Sequence, residues 1–168
     1  MKFSELIDKH IQTKIGQKKI LNKSDLTEIL ELSEGLPSTF ISYMLEVGPS
    51  QIGGLVSFFD PRSDWVASIE TFKDLANDYK ELEIINGEYE IHPAKNGLFP
   101  FAFTTDNDWL CWDRRNNGTE TWDVVAVDCG GELSKISETT EQFLTAAIKG
   151  TLPFFQQRNY EGAKIFYG

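Results

Sequence analysis

Histidine and cysteine are the scarcest chemistry-bearing residues in this chain, with two of each. Cys111 and Cys129 form no Cys-x-x-Cys pair, so neither a disulfide framework nor a zinc cluster is indicated, and reduced thiols are expected. His10 and His92 fall outside any His-Glu-x-x-His arrangement, which removes the spacing that puts two metal ligands on one helix face. No Gly-x-Ser-x-Gly turn presents a nucleophilic serine. A Cys111–His92 nucleophile and base is disfavoured, because Cys111 lies in an apolar run where a cysteine behaves as a small hydrophobe. Gln51-Ile52-Gly53-Gly54 reads as a turn, since its two glycines lack the Lys and Ser/Thr order of a phosphate-binding loop. Asp106 and Asp108 lack the spaced oxygen ligands and distal glutamate of an EF-hand and read as hairpin-turn residues. Catalysis, cofactors and resident metals are therefore not expected.

Positive charge is also short. Sixteen Lys and Arg stand against 26 Asp and Glu, a formal net charge of −10. Direct nucleic-acid binding through phosphates needs a basic footprint and is not expected. A basic protein partner is compatible with this balance, and so is an acidic surface that serves only solubility. No stretch reaches the length of a membrane span, and charge interrupts residues 1–10, which lack the apolar run of a secretory signal. The expected setting is the cytoplasm, where the sequons Asn22-Lys23-Ser24 and Asn117-Gly118-Thr119 carry no meaning.

Aromatic residues, at 12%, are what the chain has in quantity. With 168 residues and 40% hydrophobic content, one domain with a full core is expected over 1–168. Its centre is 99–113: Phe99, Phe101 and Phe103 alternate with smaller residues at the period of a strand. Thr105-Asp106-Asn107-Asp108 makes a turn, and Trp109 to Trp112 returns. Ahead of it, Ile7, Ile11 and Ile15 predict a helix from Ser4 to Gly16 within an N-terminal helical segment, 1–22. A second helix starts near Ser24 or Asp25 and ends at Gly35. A third follows Leu36-Pro37-Ser38 and ends at Gly48-Pro49. Leu55 to Phe59 reads as a strand, and Thr71 as the cap of a helix with Phe72, Leu75, Ala76 and Tyr79 inward. Further expectations are a strand around the Asn86-Gly87 turn, a loop from His92 to Gly97, a loop from Arg114 to Thr119, and strands at Trp122–Val127 and Leu133–Ile136. A helix from Thr140 to Gly150 follows, and the aromatic tail 151–168 is expected to pack back on the domain.

The charge is unevenly placed. Residues 1–35 hold six lysines and six carboxylates, so the whole excess lies beyond Gly35. Its densest part, Asp60 to Glu90, sets Asp60, Asp64, Glu70, Asp74, Asp78, Glu81, Glu83, Glu88 and Glu90 against only Arg62, Lys73 and Lys80. Asp74, Asp78 and Glu81 recur at i, i+4 and i+7, one face of a helix. Clustering of this kind focuses field and speeds encounter with a cationic partner.

Three pieces taken together resemble the SUKH superfamily, which contains bacterial immunity proteins and yeast-type cell-wall-assembly regulators. They are Glu34-Gly35-Leu36-Pro37-Ser38 with its following helix, the pair Gly53-Gly54, and Leu98-Phe99-Pro100-Phe101-Ala102 leading to Trp109-Leu110-Cys111-Trp112-Asp113. Val47-Gly48-Pro49-Ser50 departs from the commoner Asn-Gly-Gly ending, and the aromatic tail is extra. The resemblance implies an α+β fold, a single domain whose central, mostly antiparallel sheet is flanked by helices, acting as a binding module rather than an enzyme. It implies a cognate bacterial polymorphic or contact-dependent toxin domain as partner, often a nuclease. The contacts would then fall on Asp60, Asp64, Glu70, Asp74, Asp78 and Glu81. An intracellular regulatory or scaffold protein of the cell-wall-assembly type is the alternative.

Overall fold

A computed structural model of the chain describes residues 2–81, 97–114, 118–158, 160–162 and 164–168. The expected strand around Asn86-Gly87, the loop from His92 to Asn96 and residues 115–117 lie outside the described residues. Helices α1 (Phe3–His10), α2 (Thr27–Ser33), α3 (Ser38–Glu46), α4 (Trp65–Glu81), α5 (Thr140–Lys149) and α6 (Pro153–Gln156) surround one sheet. Its strands are β1 (Thr13–Gly16), β2 (Gln51–Ile52), β3 (Val56–Phe58), β4 (Leu98–Thr104), β5 (Trp109–Asp113), β6 (Asp123–Val127), β7 (Leu133–Ser137) and β8 (Lys164–Tyr167). They lie in the order β1-β8-β2-β3-β4-β5-β6-β7, and β1 with β8 is the one parallel pair. The protein is thus an α+β fold, its mostly antiparallel sheet flanked by helices, as the resemblance implies.

The aromatic hairpin is the middle of that sheet, and all five residues of β5 are buried. Its turn closes through two backbone groups: Thr104 N–H donates to Asp108 C=O (2.9 Å), and Asp108 N–H donates to the Thr104 hydroxyl (3.0 Å). The three phenylalanines of β4 do not share one face, as strict alternation predicts. Phe99 pairs with Trp112 and Phe103 with Trp109, with a register shift between Pro100 and Ala102. Trp109 and Trp112 are three residues apart on β5 and so point to opposite faces. The bulge inserts the extra residue that carries Phe103 to the far side. Phe99, Phe101 and Trp112 therefore meet on one face, where the Phe101 and Trp112 rings stack at 4.4 Å and Phe40 sits edge-on to Trp112 at 5.0 Å. Phe59, Phe72 and Phe103 surround Trp109 on the other. Each such ring buried from water contributes roughly 1.5–3 kcal/mol.

Four expectations, between the N-terminus and α4, are corrected. Helix α1 stops at His10, Ser4 lies inside its first turn, and Ile15 belongs to the exposed strand β1. β-Branched Thr13 starts an extended segment that β8 pairs in parallel, and this tertiary pairing overrides the four-residue Ile spacing. Gln51 and Ile52 form β2, leaving only Gly53 and Gly54 to turn. Thr71 is no cap: α4 begins at Trp65, and the Thr71 hydroxyl donates to Ala67 C=O inside the helix. The strand β3 stops at Phe58, although Phe59 N–H still donates to Phe101 C=O (3.1 Å). The next carbonyl, Pro100, accepts instead from the Trp65 indole (2.8 Å), so the helix starts where the ladder ends.

Helix α2 is preceded by one 3₁₀ turn, Lys23–Leu26, closed by a reciprocal box in which Asn22 and Asp25 each accept from the other's backbone N–H. Residues after α5 return to the sheet, where β8 lies between β1 and β2. The Tyr160 ring fills a slot between Gly53 and Gly150, and its hydroxyl donates to Ala147 C=O (2.8 Å) in the last turn of α5. A Cβ on Gly53 would lie 2.2 Å from that ring.

Candidate functional site

The six carboxylates proposed for binding divide into two sets. Asp60 is buried at the turn into α4, where its side chain accepts from the Arg62 amide (2.9 Å) and from the Arg62 guanidinium (3.3 Å), with Lys19 at 4.0 Å. Its carbonyl accepts from the amides of Ser63, Asp64 and Trp65. Asp64, though exposed, accepts from the Asp60 amide at 2.6 Å. These two side chains shape the start of α4, where N-terminal N–H groups need oxygen partners.

Glu70, Asp74 and Asp78 form the second set. They are exposed, four residues apart, on the side of α4 opposite Trp65, Ile69 and Phe72, which enter the core. Among the described residues none of the three makes an ion pair, so their charge faces solvent. Glu81 closes the helix, and its side chain lies outside the described part. Lys73 is the half-buried cation on the same helix. Beside the helix start, a cleft of about 420 Å³ runs between Asp60, Ser63 and Asp64 on one wall and Gln51, Ser57 and Phe166 of the sheet on the other.

Among the described residues no group of three or more His, Cys, Asp or Glu is arranged to hold a metal ion. Cys111 is fully buried, and burial pushes its thiol pKa well above the usual value, which keeps it neutral and un-nucleophilic. Its supposed partner His92 lies outside the described residues.

Sequence reasoning missed three side chains that tie distant segments of the fold together away from α4. Asp108, read as a turn residue, is buried in a two-pronged ion pair with Arg158 (2.8 and 3.1 Å), whose guanidinium lies 3.7 Å over the Phe154 ring. Arg114, read as a loop residue, is buried, donates to Ser33 C=O (2.8 Å) and lies 5.2 Å from the Phe99 ring centre. Burial lowers its pKa from the usual value, while the charge of Glu34 opposes that fall. Glu120 accepts from both the amide and the hydroxyl of Ser38 (2.8 Å each), capping α3 from 82 residues away. Nothing local in sequence marks these pairs, since each joins segments 50 or more residues apart.

A mostly antiparallel eight-stranded sheet flanked by helices defines a single-sheet α+β protein. The model of the family SUKH_6, described as SMI1-KNR4 cell-wall, matches residues 30–144, and the chain belongs to that family. The matched segment runs from α2 into α5 and includes the aromatic hairpin and α4. No curated protein matches the chain. No described helix is long and apolar enough to cross a membrane.

Proposed function

We propose that the protein is a non-enzymatic, cytoplasmic immunity protein that binds a cognate bacterial toxin domain and neutralises it by covering its active site. The observation that carries this reading is the row Glu70, Asp74 and Asp78, exposed on a helix anchored by Trp65, Ile69 and Phe72. A nuclease binds phosphates with lysine and arginine, and carboxylates at i, i+4 spacing on a rigid helix compete for those cations. Asp60 and Asp64 support the row by fixing where α4 begins, and Glu81 extends it at the far end. The reading treats residues 1–168 as one domain whose partner is a protein, without cofactor, nucleic acid or membrane.

The test is to co-express the chain with the carboxy-terminal domain of the protein encoded beside it. A stoichiometric complex and rescue of growth are expected. No complex and no rescue would instead favour the second reading, an intracellular regulatory protein of the cell-wall-assembly type, which membership in an SMI1-KNR4 cell-wall family supports.

A further inference from the structure

The edge strand β1 is the most exposed of the described strands. All four of its residues are exposed, so neither of its faces is packed, and among the described residues only β8 pairs with it. An edge strand presents a row of backbone N–H and C=O groups that another strand can complete. The exposure continues unbroken from Gln12 to Ile20. Two of the three large hydrophobic residues exposed among the described residues lie here, Ile15 at 41% and Ile20 at 84%. Ile15 is in register with Phe166, itself only half-buried, so the two form an apolar pair on one open face.

The charge of this segment is opposite to that of the chain. Between Asp8 and Asp25 there are five lysines, at 9, 14, 18, 19 and 23, and no acidic residue, within a protein of net charge −10. Lys14 pairs with Asp8 at exposed positions, where such pairs exchange readily, and half-exposed Lys19 stands 4.0 Å from the buried Asp60. Lys18 lies 5.9 Å from the Tyr167 ring centre, beside the end of β8.

Together the open ladder, the apolar pair and the lysines point to a docking edge: the geometry assigns β1 as the acceptor of an extended, acidic and apolar segment of a partner protein, which adds a ninth strand beyond it. Lysines on an edge repel a second copy of the same edge, which guards against self-pairing. The same lysines attract a strand that carries carboxylates. Backbone bonds would supply the affinity, with Ile15 and Phe166 receiving alternate apolar side chains of the added strand. This surface differs in charge from α4 and is independent of the toxin-binding reading.

The test is a backbone-amide NMR titration of the whole chain with the peptide acetyl-Glu-Val-Glu-Val-Glu-Val-Glu-amide and with its Lys-for-Glu counterpart. Shifts confined to residues 12–20 and β8 are expected, with the acidic peptide binding about tenfold tighter. Ile15→Asp and Lys18→Glu, both at exposed positions, are each expected to weaken binding about three- to tenfold, whereas Glu132→Gln, exposed beside β7 at the other edge of the sheet, leaves it unchanged. Equal binding of the two peptides, or shifts elsewhere, would overturn the assignment. So would capture by phosphatidylserine vesicles without response to the acidic peptide, which would make the segment a membrane contact.

Discussion

Gly53 shows how one residue's lack of a side chain positions a whole segment. Its φ is +64°, where a Cβ costs roughly 1–2 kcal/mol, and the Tyr160 ring occupies the space that Cβ would take. Gly53→Ala is therefore expected to lower stability by about 2–4 kcal/mol, strain and overpacking combined. Gly118→Ala, with nothing within 4 Å of the added atom, is expected to change it by less than about 0.5 kcal/mol. Urea unfolding of both variants checks the contrast, and equal effects would mean that Tyr160 does not sit in the slot. A second residue-level consequence concerns alkaline pH. Burial raises the pKa of Cys111 from 9.0 and of Tyr43 from 10.0, so the folded state keeps protons that the unfolded state releases. Stability is full below pH 9 and then falls as pH rises, because the unfolded chain binds fewer protons there, with each group contributing up to about 1.4 kcal/mol per pH unit. Chemical denaturation between pH 8 and 11 measures it; a Cys111→Ala variant should show the fall beginning about one unit later.

Elements were legible wherever their signals were local. The start of α3 at Leu36-Pro37-Ser38, the hairpin, and the helix from Thr140 to its left-handed end at Gly150 lie where periodicity and turn residues put them. Misreadings arose where the deciding partner is distant in sequence. Ile15 has helical spacing but is held by β8, 151 residues on; the bulge in β4 depends on its partner strand; and the start of α4 depends on a carbonyl of β4. The candidate site was legible as a carboxylate face, yet periodicity alone could not show that Asp60 and Asp64 are engaged in the turn while Glu70, Asp74 and Asp78 are available. Helix α3 gives the element-scale prediction. Pro37 precedes it and offers no side-chain cap, so Glu120 supplies the oxygens for the Ser38 amide and hydroxyl. Glu120→Ala is expected to cost about 0.5–2 kcal/mol, and amide hydrogen exchange should quicken first in residues 38–41. Unchanged exchange there would show that solvent caps the helix equally well.

At the scale of the molecule, charge is segregated rather than merely negative. The lysines of 9–23 fall in the segment that contains the edge strand β1, while the excess carboxylate lies beyond Gly35 and includes the exposed Glu70, Asp74 and Asp78 of α4. A field arranged in this way orients an approaching basic protein before contact, so it acts on the association rate more than on dissociation. The screening length shrinks from about 10 Å at 0.1 M salt to about 3 Å at 1 M, so association with the cognate domain should slow steeply over that range. Glu70→Lys, Asp74→Lys and Asp78→Lys together reverse the row without touching the residues that anchor α4. The combined variant should associate about tenfold or more slowly at low salt, lose most of that salt dependence, and keep its urea midpoint. Asp60→Lys should behave differently, because it removes the acceptor of the Arg62 and turn contacts and so lowers the midpoint itself. Stopped-flow association across salt concentrations, set beside urea unfolding, separates the two effects. If the triple variant kept the wild-type rate and salt slope, the partner would have to be held elsewhere, and α4 would be acidic only for its own solvation.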